Sequence, residues 1–239
     1  MSWLERTELL VQKEGLEKLK KANILVVGLG GVGSYAAEFI ARAGVRKMTI
    51  VDGDVFDETN KNRQLTALDS TIGKSKARVL AARLIDINPE IELTVLEEFL
   101  SPERAFEIVT KEFDYVLDCI DSITPKVNLI VAARRKKVKI ISSMGAGGKL
   151  DATKVKIKDI ANTKNCTMAR VLRKRLKERK VNKGVKAVYS EEMQISKSVK
   201  RTDGTHFKKS YYGTISYMPA LFGLQAAAFV VNFIINRKK

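Results

Sequence analysis

The hexapeptide Gly28-Leu29-Gly30-Gly31-Val32-Gly33 follows directly on the apolar run Ile24-Leu25-Val26-Val27 and opens a stretch with helical spacing. In that setting a G-x-G-x-x-G pattern reads as a phosphate cradle. Gly28, Gly30, Gly31 and Gly33 let the turn tighten and the backbone approach a phosphate, while the amides of the next helix point at negative charge. Asp52 lies nineteen residues past Gly33, at the end of a second apolar run, where a carboxylate can accept ribose hydroxyls. Taken alone, these features fit NAD as well as ATP.

A second group of residues carries more chemistry. It comprises Val51-Asp52-Gly53-Asp54, Asn60-Lys61-Asn62-Arg63-Gln64, Gly73-Lys74-Ser75-Lys76 and Asp118-Cys119-Ile120-Asp121-Ser122. A dehydrogenase has no need of these charges. An enzyme that attacks the α-phosphate of ATP and expels pyrophosphate does, because cations and a metal must offset the charge that shifts onto the phosphates. Arg63 offers a planar fork of donors, Lys76 a point charge, and Asp121 an oxygen ligand for Mg2+. Taken singly, each has a plain alternative: a surface arginine, a solvated lysine and a helix-capping aspartate.

The elements that position these residues follow from periodicity. Short apolar runs at 24–27, 48–51, 91–96, 115–118 and 139–142 suit strands buried on both faces. Helical spacing at 9–20, 34–43, 73–85, 126–134 and after the Ser101-Pro102-Glu103 start signal completes a βαβ alternation. The expected fold is α/β: a Rossmann-like, mainly parallel sheet with flanking helices and a less regular C-terminal lobe. Residues 1–150 form the expected nucleotide-binding part. Residues 151–239 form a basic substrate-binding lobe and a closing helix at 217–235, continuous with it. That last helix is almost uncharged and near the lower length limit for a bilayer span, but Pro219, Gly223, Gln225 and Asn232 suit a helix buried on the sheet, so membrane association is not expected.

Lys and Arg total 44 against 27 Asp and Glu, a formal net charge of +17. The basic residues concentrate at Arg134-Arg135-Lys136-Lys137 and across 170–186, which points to a polyanionic partner; a generally lysine-rich proteome is the alternative. Two cysteines, Cys119 and Cys166, cannot supply the four thiolates of a structural zinc site or a disulfide framework. With no leader-like start, the expectation is a cytoplasmic protein without zinc. Cys119 reads as a small buried residue. Cys166, in an expected loop with lysines nearby, is a conceivable nucleophile. His206, the only histidine, is left without a role.

These strings resemble the superfamily of ubiquitin-activating enzymes and their bacterial relatives that adenylate sulfur-carrier proteins. The resemblance implies that Asp52, Asp54, Asn60, Arg63, Lys76 and Asp121 bind Mg-ATP. It also implies a homodimer in which Arg6, ahead of the first strand, reaches the partner's nucleotide. Asn60-Lys61-Asn62-Arg63-Gln64, Asp121-Ser122-Ile123-Thr124-Pro125-Lys126, Gly145-Ala146-Gly147-Gly148 and Val188-Tyr189-Ser190-Glu191-Glu192 most resemble the branch that dehydrates threonylcarbamoyladenosine in bacterial tRNA. That branch implies activation of the threonine carboxylate by ATP, intramolecular ring closure and tRNA as the polyanion, with no enzyme thioester. A sulfur-carrier substrate is the alternative; a sulfur-transfer partner and a monovalent cation stay open. Lys154, Lys156, Lys158 and residues 170–180 are candidates to track tRNA, with an exposed basic helix as the equal alternative. One departure stands out: Asn165-Cys166-Thr167-Met168 replaces an expected Asp-Pro-Leu stretch.

Overall fold

The computed structural model describes residues 2–201 and 210–237. Seven strands form one sheet: β1 (Asn23–Val27), β2 (Lys47–Val51), β3 (Glu92–Leu96), β4 (Tyr115–Asp118), β5 (Lys139–Ser143), β6 (Val155–Asp159) and β7 (Lys186–Ser190). Their order is β3-β2-β1-β4-β5-β7-β6. All neighbours run parallel except β6, which pairs antiparallel to β7. A small antiparallel pair, β8 (Val199–Arg201) and β9 (Ser210–Tyr212), lies apart from it.

The central strands are short and apolar because helices cover both faces. On one face α1 (Glu5–Lys21), α2 (Gly33–Arg42), α3 (Lys76–Ile87) and α7 (Tyr217–Ile235) pack with Ile24, Val26, Met48, Ile50 and Leu117. On the other, α4 (Pro102–Ile108), α5 (Ile123–Arg135) and α6 (Thr167–Glu178) pack with Leu25, Val27, Val116, Ile140 and Tyr189. Helix α7 docks closely on α2 because Gly223 has no side chain: a Cβ there would lie 2.4 Å from the Val32 carbonyl oxygen. Its Met218, Phe222, Ala226, Val230 and Ile234 belong to the core. One face of α7 is thus accounted for by packing, while Tyr217 and Leu224 remain exposed.

The strand pairing fixes where a site can form. Val27 lies opposite both Val51 and Asp118, so β1, β2 and β4 end level with one another. The chain leaves β1 toward β2 on one side and reaches β4 on the other. The crevice at their carboxyl ends is therefore a topological switch point, where open α/β sheets place ligands.

Candidate functional site

The glycine turn sits at that crevice and its tightness is steric. Gly28 has φ +86°, and a Cβ on Gly33 would lie 1.8 Å from the Gly28 carbonyl oxygen. No substitution at Gly33 leaves this turn intact. A Cβ on Gly28 would meet the Cys119 carbonyl at 2.9 Å, and one on Gly31 would meet the Arg63 carbonyl oxygen at 3.0 Å. The turn is thus pressed between the segment that carries Asp121 and the segment that carries Arg63. Helix α2 begins at Gly33; its N-cap Val32 supplies no side-chain cap, the Ser34 amide donates to the Gly30 carbonyl at 3.2 Å, and the positive end of the helix dipole faces the crevice.

Asp52 ties the cradle to the end of β2. Its Oδ2 accepts the Leu29 amide at 2.6 Å and its Oδ1 accepts the Asp54 amide at 2.8 Å. Each carboxylate oxygen keeps a further lone pair for a ribose hydroxyl. Burial pushes the Asp52 carboxyl above the usual carboxylate range, against the opposing pull of the Leu29 amide and the Lys76 charge. Lys76 opens α3 and is 6% exposed, with its Nζ 2.9 Å from Asp54 Oδ2. A buried ammonium beside two carboxylates is a cation held in place for a third anion.

Arg63 is positioned by a short 3-10 turn, Glu58–Asn60, capped by Asp57. The Asn60 carbonyl accepts the amides of Arg63 and Gln64, and Arg63 Nη1 donates to the Thr59 carbonyl and to Asn62 Oδ1, each at 2.8 Å. Asn60 is buried within this turn and hydrogen-bonds Asp57 and Thr59; here its contribution is to shape the loop that presents Arg63. Burial lowers the pKa of the Arg63 guanidinium, against the opposing pull of the Asp121 charge. Asp121 itself is exposed and accepts the Ser122 hydroxyl at 3.3 Å. Gln64 Oε1 and Thr66 Oγ1 are buried in the same loop without a hydrogen-bond partner in the structure.

One part of the site has no counterpart in the sequence reading. Lys126 and Asp118 are both fully buried, with Nζ 2.8 Å from Oδ2. Ser142 on β5 donates to the same oxygen at 2.6 Å, and Asp118 Oδ1 accepts the Ile120 amide at 3.2 Å. Burial pushes the Asp118 carboxyl up, while Lys126 and Ser142 pull it back. This cluster clamps the start of the loop bearing Asp121. Lysine at an apolar helical position was the available signal; Lys126 begins a run that is otherwise apolar through Ala133 apart from Asn128.

The remaining candidates sort clearly. Arg6 is exposed on the first turn of α1 and makes no hydrogen bond or ion pair within the described residues of its own chain. His206 lies outside the described residues. Burial raises the Cys119 thiol to about 12. Cys166 is the N-cap of α6, 8% exposed and without a cap hydrogen bond. Gly145-Ala146-Gly147-Gly148 and the 188–192 string come together: the Met144 amide donates to the Val188 carbonyl, and buried Lys149 donates to the Ser190 and Glu192 carbonyls. Among the described residues no group of three or more His, Cys, Asp or Glu could hold a metal. Any Mg2+ here would take Asp121 together with phosphate oxygens, a donor set that Mg2+ accepts.

The ThiF family profile matches residues 4–239 of the chain. The tRNA threonylcarbamoyladenosine dehydratase of Bacillus subtilis (strain 168) is 43% identical over 190 residues, covering 80% of this chain and 75% of that protein. The Escherichia coli (strain K12) protein of the same name is 38% identical over 214 residues, covering 85% and 79%. The crystal structure of the E. coli tRNA N6-threonylcarbamoyladenosine dehydratase, TcdA, in complex with ATP superposes with a TM-score of 0.86 at 35% identity over 96% of this chain and 92% of that one. Matched by the family profile over residues 4–239 and by relatives 38–43% identical over at least three quarters of their length, the chain belongs to the ThiF family.

Proposed function

We propose that this chain is an ATP-dependent dehydratase that adenylates the threonine carboxylate of threonylcarbamoyladenosine in tRNA and promotes its cyclisation. The observation that carries the reading is the meeting of the glycine cradle, Asp52, Lys76, Arg63 and Asp121 at the carboxyl ends of β1, β2 and β4. The E. coli relative at 35% identity, solved with ATP, supports ATP as the nucleotide.

In this reading Asp52 takes the ribose, and the amides at the start of α2 face the phosphates. The threonine carboxylate oxygen attacks the α-phosphorus, the bond to the bridging oxygen breaks, and pyrophosphate leaves. Arg63 and Lys76 offset the charge that moves onto the leaving group. Bound at Asp121, Mg2+ would supply further charge neutralisation. A nucleophile within the threonylcarbamoyl group then attacks the acyl carbon, loses its proton, and AMP departs, so the nucleoside loses one water overall. Neither cysteine suits a thioester: the Cys119 thiol is held protonated and Cys166 is buried at a helix cap.

A homodimer completes the proposal. Leu9 and Leu10 are 72% and 83% exposed on α1 beside Arg6, and Leu224 on α7 is 41% exposed. A second copy covering these residues would hide apolar surface and bring Arg6 toward the partner's crevice. A cytoplasmic location, where tRNA is available, fits the same reading. The substrate class is tested by ATP–pyrophosphate exchange. Exchange should rise with tRNA bearing threonylcarbamoyladenosine and stay at background with a carrier protein ending in Gly-Gly. The reverse pattern would replace tRNA by a sulfur carrier.

A further inference from the structure

The positive charge is not spread evenly once ion pairs are taken into account. On β6, Lys156 and Lys158 both reach Glu191, at 2.6 and 3.1 Å, and Lys154 pairs with Asp151. The Glu191 carboxyl is held down at about 2 by Lys156 first and then by Lys158 and Tyr189. That stripe is largely offset: three lysines face two carboxylates and one positive charge is left over. Helix α6 differs. It buries Ala169, Leu172 and Leu176 on one side and exposes Arg170, Lys174, Arg175, Lys177 and, at its C-cap, Arg179. None of these five forms an ion pair among the described residues, and Glu178 is the only acidic residue in the helix. Arg170 and Lys174, and likewise Arg175 and Arg179, stand four apart, a spacing at which like charges repel on a helix. A helix that sustains such repulsion has its charge relieved when a polyanion arrives.

The location of this charge gives it a direction. Arg175 and Arg179 line a groove of about 200 Å³ between α6 and the first turns of α5, together with Thr124, Asn128 and Glu178. Arg175 Nη1 donates to the Thr124 hydroxyl at 3.0 Å, and Thr124 lies three residues beyond Asp121. The groove is therefore bounded by an unpaired basic helix on one side and, on the other, by the first turns of α5, the helix that follows Asp121 in the chain.

We infer that the groove between α5 and α6 is the track along which the tRNA backbone enters the site, with Arg175 and Arg179 taking phosphates in the groove and Lys174 adding charge from the exposed side of α6. The inference rests on the dehydratase reading and adds to it the surface that holds the RNA. Arginine forks suit phosphate oxygens, and the Asn128 amide offers a further polar group in the same groove. Contacts of this kind position the RNA without reading its sequence, so binding should be salt-dependent and tolerant of tRNA identity.

The test uses the full chain and end-labelled total bacterial tRNA, with binding followed by fluorescence anisotropy over a salt series. The combined substitution Lys174→Gln, Arg175→Gln and Arg179→Gln should weaken binding about 10- to 100-fold at low salt and flatten the salt slope by roughly two to three. Its ATP affinity, measured by calorimetry, should match the unsubstituted chain. Lys156→Gln with Lys158→Gln, on the largely offset stripe, should weaken tRNA binding far less than the α6 triple substitution. Lys174→Glu, alone on the solvent side of α6, should still weaken binding if the triple substitution lowers thermal stability. Unchanged affinity and slope in both α6 variants would overturn the groove and leave the dehydratase reading standing. No tRNA binding by the unsubstituted chain, with ATP still bound, would overturn the tRNA reading itself and the groove with it.

Discussion

Asp121→Ala is expected to reduce tRNA-stimulated ATP–pyrophosphate exchange by at least about a hundredfold, while the fold and nucleotide binding survive. The residue is exposed, so its removal opens no cavity, and its role in this account is exerted on the phosphates as charge moves onto them. Losing one group placed to stabilise a transition state typically costs on the order of 10² to 10³ in rate. Calorimetry should still report ATP binding, since Asp52 and the glycine cradle do not depend on Asp121. The same variant tests Arg6. Mixed dimers of Arg6→Ala and Asp121→Ala subunits, each inactive alone, should recover part of the activity if Arg6 completes the partner's site. Unaltered exchange in Asp121→Ala would remove the residue from the chemistry, and verified mixed dimers without recovery would confine Arg6 to its own chain.

Lys126→Met should be strongly destabilising. It leaves the Asp118 carboxylate fully buried with only the Ser142 hydroxyl and the Ile120 amide as partners. Breaking such a pair from one side costs about 3 to 5 kcal/mol, which for a chain of this size lowers Tm by roughly 6 to 20 °C. The pH dependence has a definite sign. Without Lys126 the carboxyl's folded pKa rises further above its unfolded value, so the cost is present at neutral pH and shrinks as pH falls through the folded pKa. Thermal melts of the variant should therefore approach those of the unsubstituted chain on acidification. Replacing both partners, as Asp118→Leu with Lys126→Met, should recover much of the loss, because an apolar pair leaves no unpaired charge. Equal melting of the single variant and the unsubstituted chain at neutral pH would show that the pair contributes nothing.

Much of the sheet was legible because parallel strands covered on both faces must be apolar end to end. The 24–27, 48–51, 115–118 and 139–142 runs each fall inside an observed strand. The glycine turn was legible for a related reason: only glycine permits the 1.8 Å clash between a position-33 Cβ and the Gly28 oxygen to be avoided. What escaped the sequence was whatever depends on partners distant in the chain. Strands β6 and β7 read as lysine-rich, irregular sequence, because Lys156 and Lys158 on β6 are paired by Glu191 from beyond the end of β7. Helix α6 was legible as an exposed basic helix, but its short buried face of Ala169, Leu172 and Leu176 was not picked out among the basic residues. Lys126 stood in the sequence only as the end of a family-like string and the start of a helix, and only the fold brings Asp118 and Ser142 onto it. Cys166 looked like a loop residue, whereas its backbone caps α6 and its thiol is buried.

The most direct measurement is mass spectrometry of the nucleosides from tRNA carrying threonylcarbamoyladenosine, after incubation with the purified protein, ATP and Mg2+. The account predicts a product lighter by one water, formed only when ATP is present, with AMP and pyrophosphate released alongside. A nucleoside of unchanged mass, from tRNA whose modification has been verified beforehand and with protein shown to bind ATP, would contradict it.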